Sequence, residues 1–207
     1  MLNNDIESNN ILRLYLPVNA VDYIARQLLS FNIQLIISKP RLTKTGDYMP
    51  PAGRGYHRIS VNSDLNKFSF LITLLHEIAH ALIWIEYRGR VKPHGKEWKY
   101  EFSRLLEQTI ALEVFPGDIV SVINKYLVNK GNFTRSSLDR LNDVLRLYNK
   151  GEQMLRVMDI PGKCTFILKG GREFVKIRKL RKRYRCRDAR NGRFYSVSPY
   201  AEIISYR

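Results

Sequence analysis

The chain is poor in cysteine, in acidic side chains and in uninterrupted apolar runs. Its two cysteines, Cys164 and Cys186, form no CxxC pair, which excludes a four-cysteine zinc ribbon, and without a secretory signal a disulfide between them is not expected. Both read as reduced, small apolar residues. The longest apolar runs carry His, Glu or Arg within them, so none reads as a membrane span. The first ten residues lack the basic start and apolar middle of a secretory signal, and the expected location is the cytoplasm. Acidic residues number 19 against 35 Lys and Arg, a formal net charge of +16. That excess speaks about partners rather than fold, and polyanions are the natural partners. With 44% hydrophobic and 26% charged residues over 207 positions, the composition excludes wholesale disorder and suits one domain plus a small second one.

The period of the apolar residues divides the chain. Val21, Ile24, Ala25, Leu28 and Leu29 predict a helix over about 18–31, started by Pro17. Ile33 to Ser38 reads as a strand. The stretch 40–56, with Gly46, Pro50, Pro51, Gly53 and Gly55, reads as a loop with an edge strand near Gly46 to Met49. His57, Ile59 and Val61 alternate with polar neighbours as in a half-buried strand. Ser63 or Asp64 is expected to cap a helix over about 65–87 that is apolar around most of its circumference, as befits the middle of a domain. Further helices are expected from Lys96 to about Leu112, over Ile119 to Val128, and from a cap at Ser136 or Ser137 to about Tyr148. After Gly151 the pattern alternates. Thr165 to Leu168, Phe174 to Ile177, Tyr184 to Arg187 and Phe194 to Val197 read as strands, with hairpin turns at Gly170-Gly171 and Asn191-Gly192. The reading is α+β: residues 1–151 one domain, residues 152–207 a small basic β module. Residues 156–207 hold 15 Lys/Arg and 4 Asp/Glu, whereas residues 1–155 hold 20 and 15.

The chemistry is concentrated at His76-Glu77-Ile78-Ala79-His80. Two histidines four apart on a helix face the same way and can share one zinc ion. Glu77, beside the metal but not bound to it, is placed to take a proton from water and pass it to a leaving amine. With 4 His and 10 Glu in the chain, about 0.004 such matches arise by chance. A purely structural explanation would place three polar groups in an apolar helix, each in need of a partner. A third ligand is expected from His94, in the loop before the next helix, with a carboxylate from Glu97, Glu101 or Glu107 as the alternative. Three protein ligands leave the fourth position open, as in catalytic zinc sites. The metzincin extension would need Gly at 83 and His at 86, where Ile83 and Glu86 stand. His57, on the preceding strand, and Tyr87, further along the metal-facing side of the helix, are candidate substrate-binding residues.

HEIAH followed by His94-Gly95-Lys96-Glu97-Trp98, and preceded by Thr45-Gly46-Asp47-Tyr48 and Val61-Asn62, resembles the SprT-like zinc metalloproteases, the group that includes the DNA–protein crosslink protease Spartan. The resemblance spans roughly residues 15–115. It implies a zincin-like domain with the active-site helix against a small sheet, one Zn²⁺ on His76, His80 and His94, and Glu77 as general base. Many members append a four-cysteine zinc ribbon. This chain departs from that, and a metal-free β module stands in its place, as in a bacterial-type member without the ribbon.

In that module Arg181, Arg183, Arg185 and Arg187 are spaced by two and are expected to share one strand face, with Lys182 among them. Such a row suits a phosphate backbone, and Tyr184, Tyr195 and Tyr200 lie close enough in sequence to stack on unpaired bases. Nothing reads base edges. No basic amphipathic helix supports a membrane anchor. The function expected is a zinc endopeptidase recruited by DNA, nucleoid-associated, cleaving DNA-bound or DNA-crosslinked proteins. The alternative is a zinc-stabilised nucleic-acid-binding protein without protease activity.

Overall fold

The computed structural model describes residues 10–41, 43–53, 55–129, 135–149, 155–181 and 183–207. The chain divides into two compact units, 1–150 and 151–207.

In the first unit a short helix, α1 (Val21–Ser30), leads into β1 (Ile33–Ser38). β2 (Gly46–Met49) and β3 (His57–Asn62) complete a three-stranded sheet of order β1-β3-β2. β1 runs parallel to β3 and β2 antiparallel to it, with Gly46 opposite Val61 and Ile33 opposite His57. β2 is thus an edge strand. The alternation in β3 is realised: His57, Ile59 and Val61 point inward and are buried.

The long helix α2 (Lys67–Tyr87) packs against β2, β3 and the next helix. Its Phe70, Leu71, Leu74, Leu75 and Ile78 are wholly buried, each worth about 1.5–3 kcal/mol of transfer free energy. The helix starts later than Ser63 or Asp64 would have it. Asn66 is the cap: its Oδ1 accepts from the backbone N–H of Phe68 and Ser69 at 3.1 and 2.9 Å. Its Nδ2 also donates to the Leu145 carbonyl at 2.8 Å, a tertiary bond that Ser63 and Asp64 do not make. By length and a mean hydropathy of 1.7, α2 could cross a bilayer, a test that the apolar runs had not been expected to meet. Half of that window is buried inside the protein, the position of a core helix.

Three more helices follow: α3 (Lys96–Ala111), α4 (Gly117–Val128) and α5 (Arg135–Arg146). The backbone is already helical at Ser136 and Ser137, so neither is the cap that was expected. Leu141 and Leu145 of α5 join the core.

The second unit is a five-stranded antiparallel sheet of β4 (Thr165–Leu168), β5 (Glu173–Lys179), β6 (Tyr184–Asp188), β7 (Phe194–Val197) and β8 (Ile203–Tyr206), in the order β7-β6-β5-β4-β8. β8 was not anticipated. Val157, Ile160, Phe166, Phe174, Cys186, Val197 and Ile203 form its core. Asp188 organises the Asn191-Gly192 turn by accepting from the N–H of Arg190 and Asn191, and it binds Arg172 through both Nε and Nη2.

Candidate metal centre

His76 and His80 lie one turn apart on α2, and the loop before α3 returns His94 to them. Their Nε2 atoms are 3.3 Å (His76–His80), 3.1 Å (His80–His94) and 3.1 Å (His76–His94) apart. A tetrahedral zinc with 2.0–2.1 Å bonds holds its ligand atoms about 3.3–3.4 Å apart, so this donor set fits such an ion closely. The three imidazoles are also in the right protonation state. Burial, then the neighbouring His80 and His94, push His76 down to about 3. Burial, then His94, push His80 down to about 4, and burial lowers His94. All three are neutral at pH 7, as metal ligation requires.

The backbone explains how His94 reaches the site. His94 has φ +58°, the left-handed region, which costs a non-glycine residue on the order of 1–3 kcal/mol. Gly95 follows because a Cβ there would lie 2.9 Å from the Lys92 carbonyl oxygen, which accepts the Gly95 N–H in the same turn. Trp98, in the first turn of α3, then packs against all three imidazoles, with ring centroids 4.6 Å from His76, 5.4 Å from His80 and 4.7 Å from His94. This wall for the triad was not foreseen, although the i, i+4 spacing from His94 was visible. The alternative carboxylate ligands stand elsewhere: Glu101 is bonded to Arg104 at 2.7 Å, Glu97 lies 3.8 Å from Lys96 Nζ and Glu107 is exposed.

Glu77 is buried on the same helix and does not join the triad. Burial, reinforced by the Asp47 charge and opposed by Arg41 and Lys44, raises its carboxyl to about 7. Gly46 of the edge strand comes so close that a Cβ there would lie 2.7 Å from Glu77 Oε1 and 2.7 Å from Thr73 Cγ2. Asn62 holds the approach to that strand. Its Nδ2 donates to the carbonyls of Arg41 and Lys44 at 3.2 and 3.1 Å, and its Oδ1 accepts from Arg41 Nε at 2.8 Å.

His57 is buried behind Tyr48. The Tyr48 hydroxyl and His57 Nδ1 are 2.9 Å apart, and the Tyr48 ring stacks nearly parallel to His80, with centroids 6.4 Å apart. Tyr87 ends α2 with its hydroxyl on Glu86. Neither lines the cleft of about 670 Å³ that opens at His76, Glu77 and His94.

In the second unit the expected arginine row is only half realised. The pairing of β5 with β6 shifts register between Lys176 and Arg178, and β6 begins at Tyr184. Arg181 and Arg183 therefore lie in the connection, both exposed, while Arg185 and Arg187 share a strand face. Lys182 lies outside the described residues. The three tyrosines each carry a cation of the chain over the ring: Lys176 on Tyr184 at 4.1 Å, Arg172 on Tyr195 at 4.5 Å and Arg156 on Tyr200 at 5.6 Å. Among the described residues of this module the exposed aromatics are Phe194 and Tyr206; Arg185 lies above Phe194 at 4.1 Å, a pairing that was not expected from the sequence. Basic residues thus cluster on this module.

Residues 18–114 match the family model described as SprT-like. The chain is 55% identical over 31 residues to "Protein SprT" of Klebsiella pneumoniae (strain 342) and, equally, of Escherichia coli (strain K12). Those stretches cover 15% of this chain and 18% of each relative. No solved structure matches the chain. Over residues 18–114, where the triad, Glu77 and the edge strand all lie, the chain is similar to the SprT-like family.

Proposed function

We propose that this chain is a zinc-dependent endopeptidase recruited by nucleic acid, and that it cuts proteins bound or crosslinked to DNA. The observation that carries the reading is the convergence of three neutral imidazoles beside an unligated, buried carboxylate at the mouth of a cleft. A zinc ion held by His76, His80 and His94 would supply a Lewis acid that polarises the scissile carbonyl and acidifies water. Glu77 supplies the base. A carboxyl near 7 is matched to neutral pH, so it accepts a proton from the attacking water and returns it to the leaving amine nitrogen. β2 supplies position. Thr45 and Gly46 line the cleft from the sheet edge, where an extended peptide can pair its backbone with the strand.

Recruitment is the work of the basic module. Its exposed Arg181, Arg183 and Arg187 suit phosphate contacts, which are insensitive to sequence. Holding the enzyme on DNA raises the local concentration of whatever protein sits there, so the cleft need not select by sequence alone. A zinc-stabilised binding protein without peptidase activity has no use for a base at Glu77 with this environment. The test is a Glu77→Gln variant with a DNA-crosslinked protein substrate, with and without free DNA. The variant is expected to keep zinc and DNA binding and to lose cleavage; normal turnover by it refutes the mechanism. Cleavage by the wild type that is indifferent to DNA refutes recruitment.

A further inference from the structure

The cleft extends well past the triad. From His76 it follows one face of α2 back through Thr73, Ile72 and Ser69, about 10 Å at 1.5 Å per residue. Phe102 of α3 and Leu141 and Leu145 of α5 line it as well. α5 lies outside residues 18–114, so this apolar lining is a feature of the chain beyond the family match. Glu77 is the one carboxylate lining the cleft among the described residues, alongside Lys44 and Lys99.

Charge and solvation decide what such a space accepts. A basic side chain would leave water for a largely apolar lining whose one carboxylate is Glu77; Asp47 beside it is already paired with Lys44 at 2.8 Å. An acidic one would be desolvated against Ile72, Phe102 and the two leucines, in the same cleft as the Glu77 carboxylate. An apolar side chain meets neither cost. A volume of about 670 Å³ is in the range of ligand clefts, enough for a peptide segment with a large side chain.

We infer that this cleft receives a bulky apolar side chain, Leu, Met or Phe, from the residue flanking the scissile bond, and that Ile72, Phe102 and the α5 leucines set that preference. The inference rests on the endopeptidase reading and names its substrate class. Leucine is expected to be preferred over alanine at that position by about fifty-fold, from the apolar surface it adds.

The test is digestion of a proteome-derived peptide library by the full zinc-loaded chain, with cut sites read by mass spectrometry. Ser69→Phe, which fills the cleft, is expected to move the preference to Ala and Ser. Ile72→Ala, which enlarges it, is expected to move it toward Phe and Trp. A second readout needs no metal: chelator-treated Trp84→Phe protein, in which Trp98 is the one tryptophan, is titrated with Ac-Ala-Phe-Ala-NH2 and Ac-Ala-Lys-Ala-NH2 while its fluorescence is followed. Only the phenylalanine peptide is expected to change the emission, and Ser69→Phe is expected to abolish that change. Cutting with no side-chain preference, with a charged preference, or with the wild-type preference in both variants overturns the inference and leaves the endopeptidase reading standing. If nothing is cut while the phenylalanine peptide still binds selectively, the endopeptidase reading fails and the apolar site stands.

Discussion

Gly46→Ala separates the positioning of Glu77 from the stability of the fold. The added methyl would lie 2.7 Å from Glu77 Oε1, 2.7 Å from Thr73 Cγ2 and 3.0 Å from Glu77 Cγ. Carbon contacts are comfortable at about 3.5–4.0 Å, so the carboxylate and the threonine methyl must retreat by roughly 1 Å. Both are side-chain ends, and Gly46 is not among the glycines with positive φ, so alanine suits its backbone. Overpacking costs about 1–3 kcal/mol, of which about 0.4–1 is offset by the stiffer unfolded chain. The melting temperature should fall by only a few degrees. The catalytic cost is larger: a displacement near 1 Å is worth about 10²-fold in rate. The expected result is a fall in kcat/KM of about a hundredfold on a peptide substrate, with zinc content unchanged and the thermal transition nearly in place. A Gly46→Ala enzyme within twofold of wild type would refute the claim that contact with β2 sets the position of Glu77.

Two further outcomes concern the basic module. The Arg172 hydrogen bonds hold Asp188 below its usual range, with the N–H groups of Arg190 and Asn191 helping. Its contribution to stability is therefore complete above the unfolded value of about 3.9 and is lost as pH falls through the lower folded value. Thermal melts of wild type and Arg172→Ala between pH 2 and 7 should differ at neutral pH and converge in acid; a gap independent of pH contradicts the pairing. The double variant Arg181→Ala, Arg187→Ala should weaken DNA binding by fluorescence anisotropy. It should also flatten the slope of log K against log salt by about 2, near 0.9 per phosphate contact. An unchanged slope means that these side chains do not touch phosphate.

Much of the candidate metal centre was legible because its information is local. His76 and His80 are linked by helix geometry, and His94 sits just before a helix start, where a loop can return. The contacts that complete the site are not local. Gly46 meets Glu77 from 31 positions away, and nothing in the period of either segment announces it. Asn66 outcompetes Ser63 and Asp64 as a cap because it also bonds Leu145, a partner that exists only once α5 has docked. A helix up to about Tyr148 was expected, but its Leu141 and Leu145 were not singled out, and nothing local shows the cleft beside them. In the β module, spacing by two assumed an uninterrupted strand. The register shift after Lys176 and the connection through Arg181 and Arg183 broke that assumption, and β8 was missed because Ile203 and Ile204 stand side by side rather than alternating and no hairpin signal precedes them.

The central claim is that three histidine nitrogens, and no other side chain, hold one zinc ion. X-ray absorption at the zinc edge of the purified, zinc-loaded chain tests it. The account predicts one zinc per chain with three imidazole nitrogens at about 2.0–2.1 Å and a light, non-protein fourth ligand, unchanged in Glu77→Gln. A sulfur ligand, a fourth imidazole, or a first shell that changes when Glu77 is replaced would contradict it.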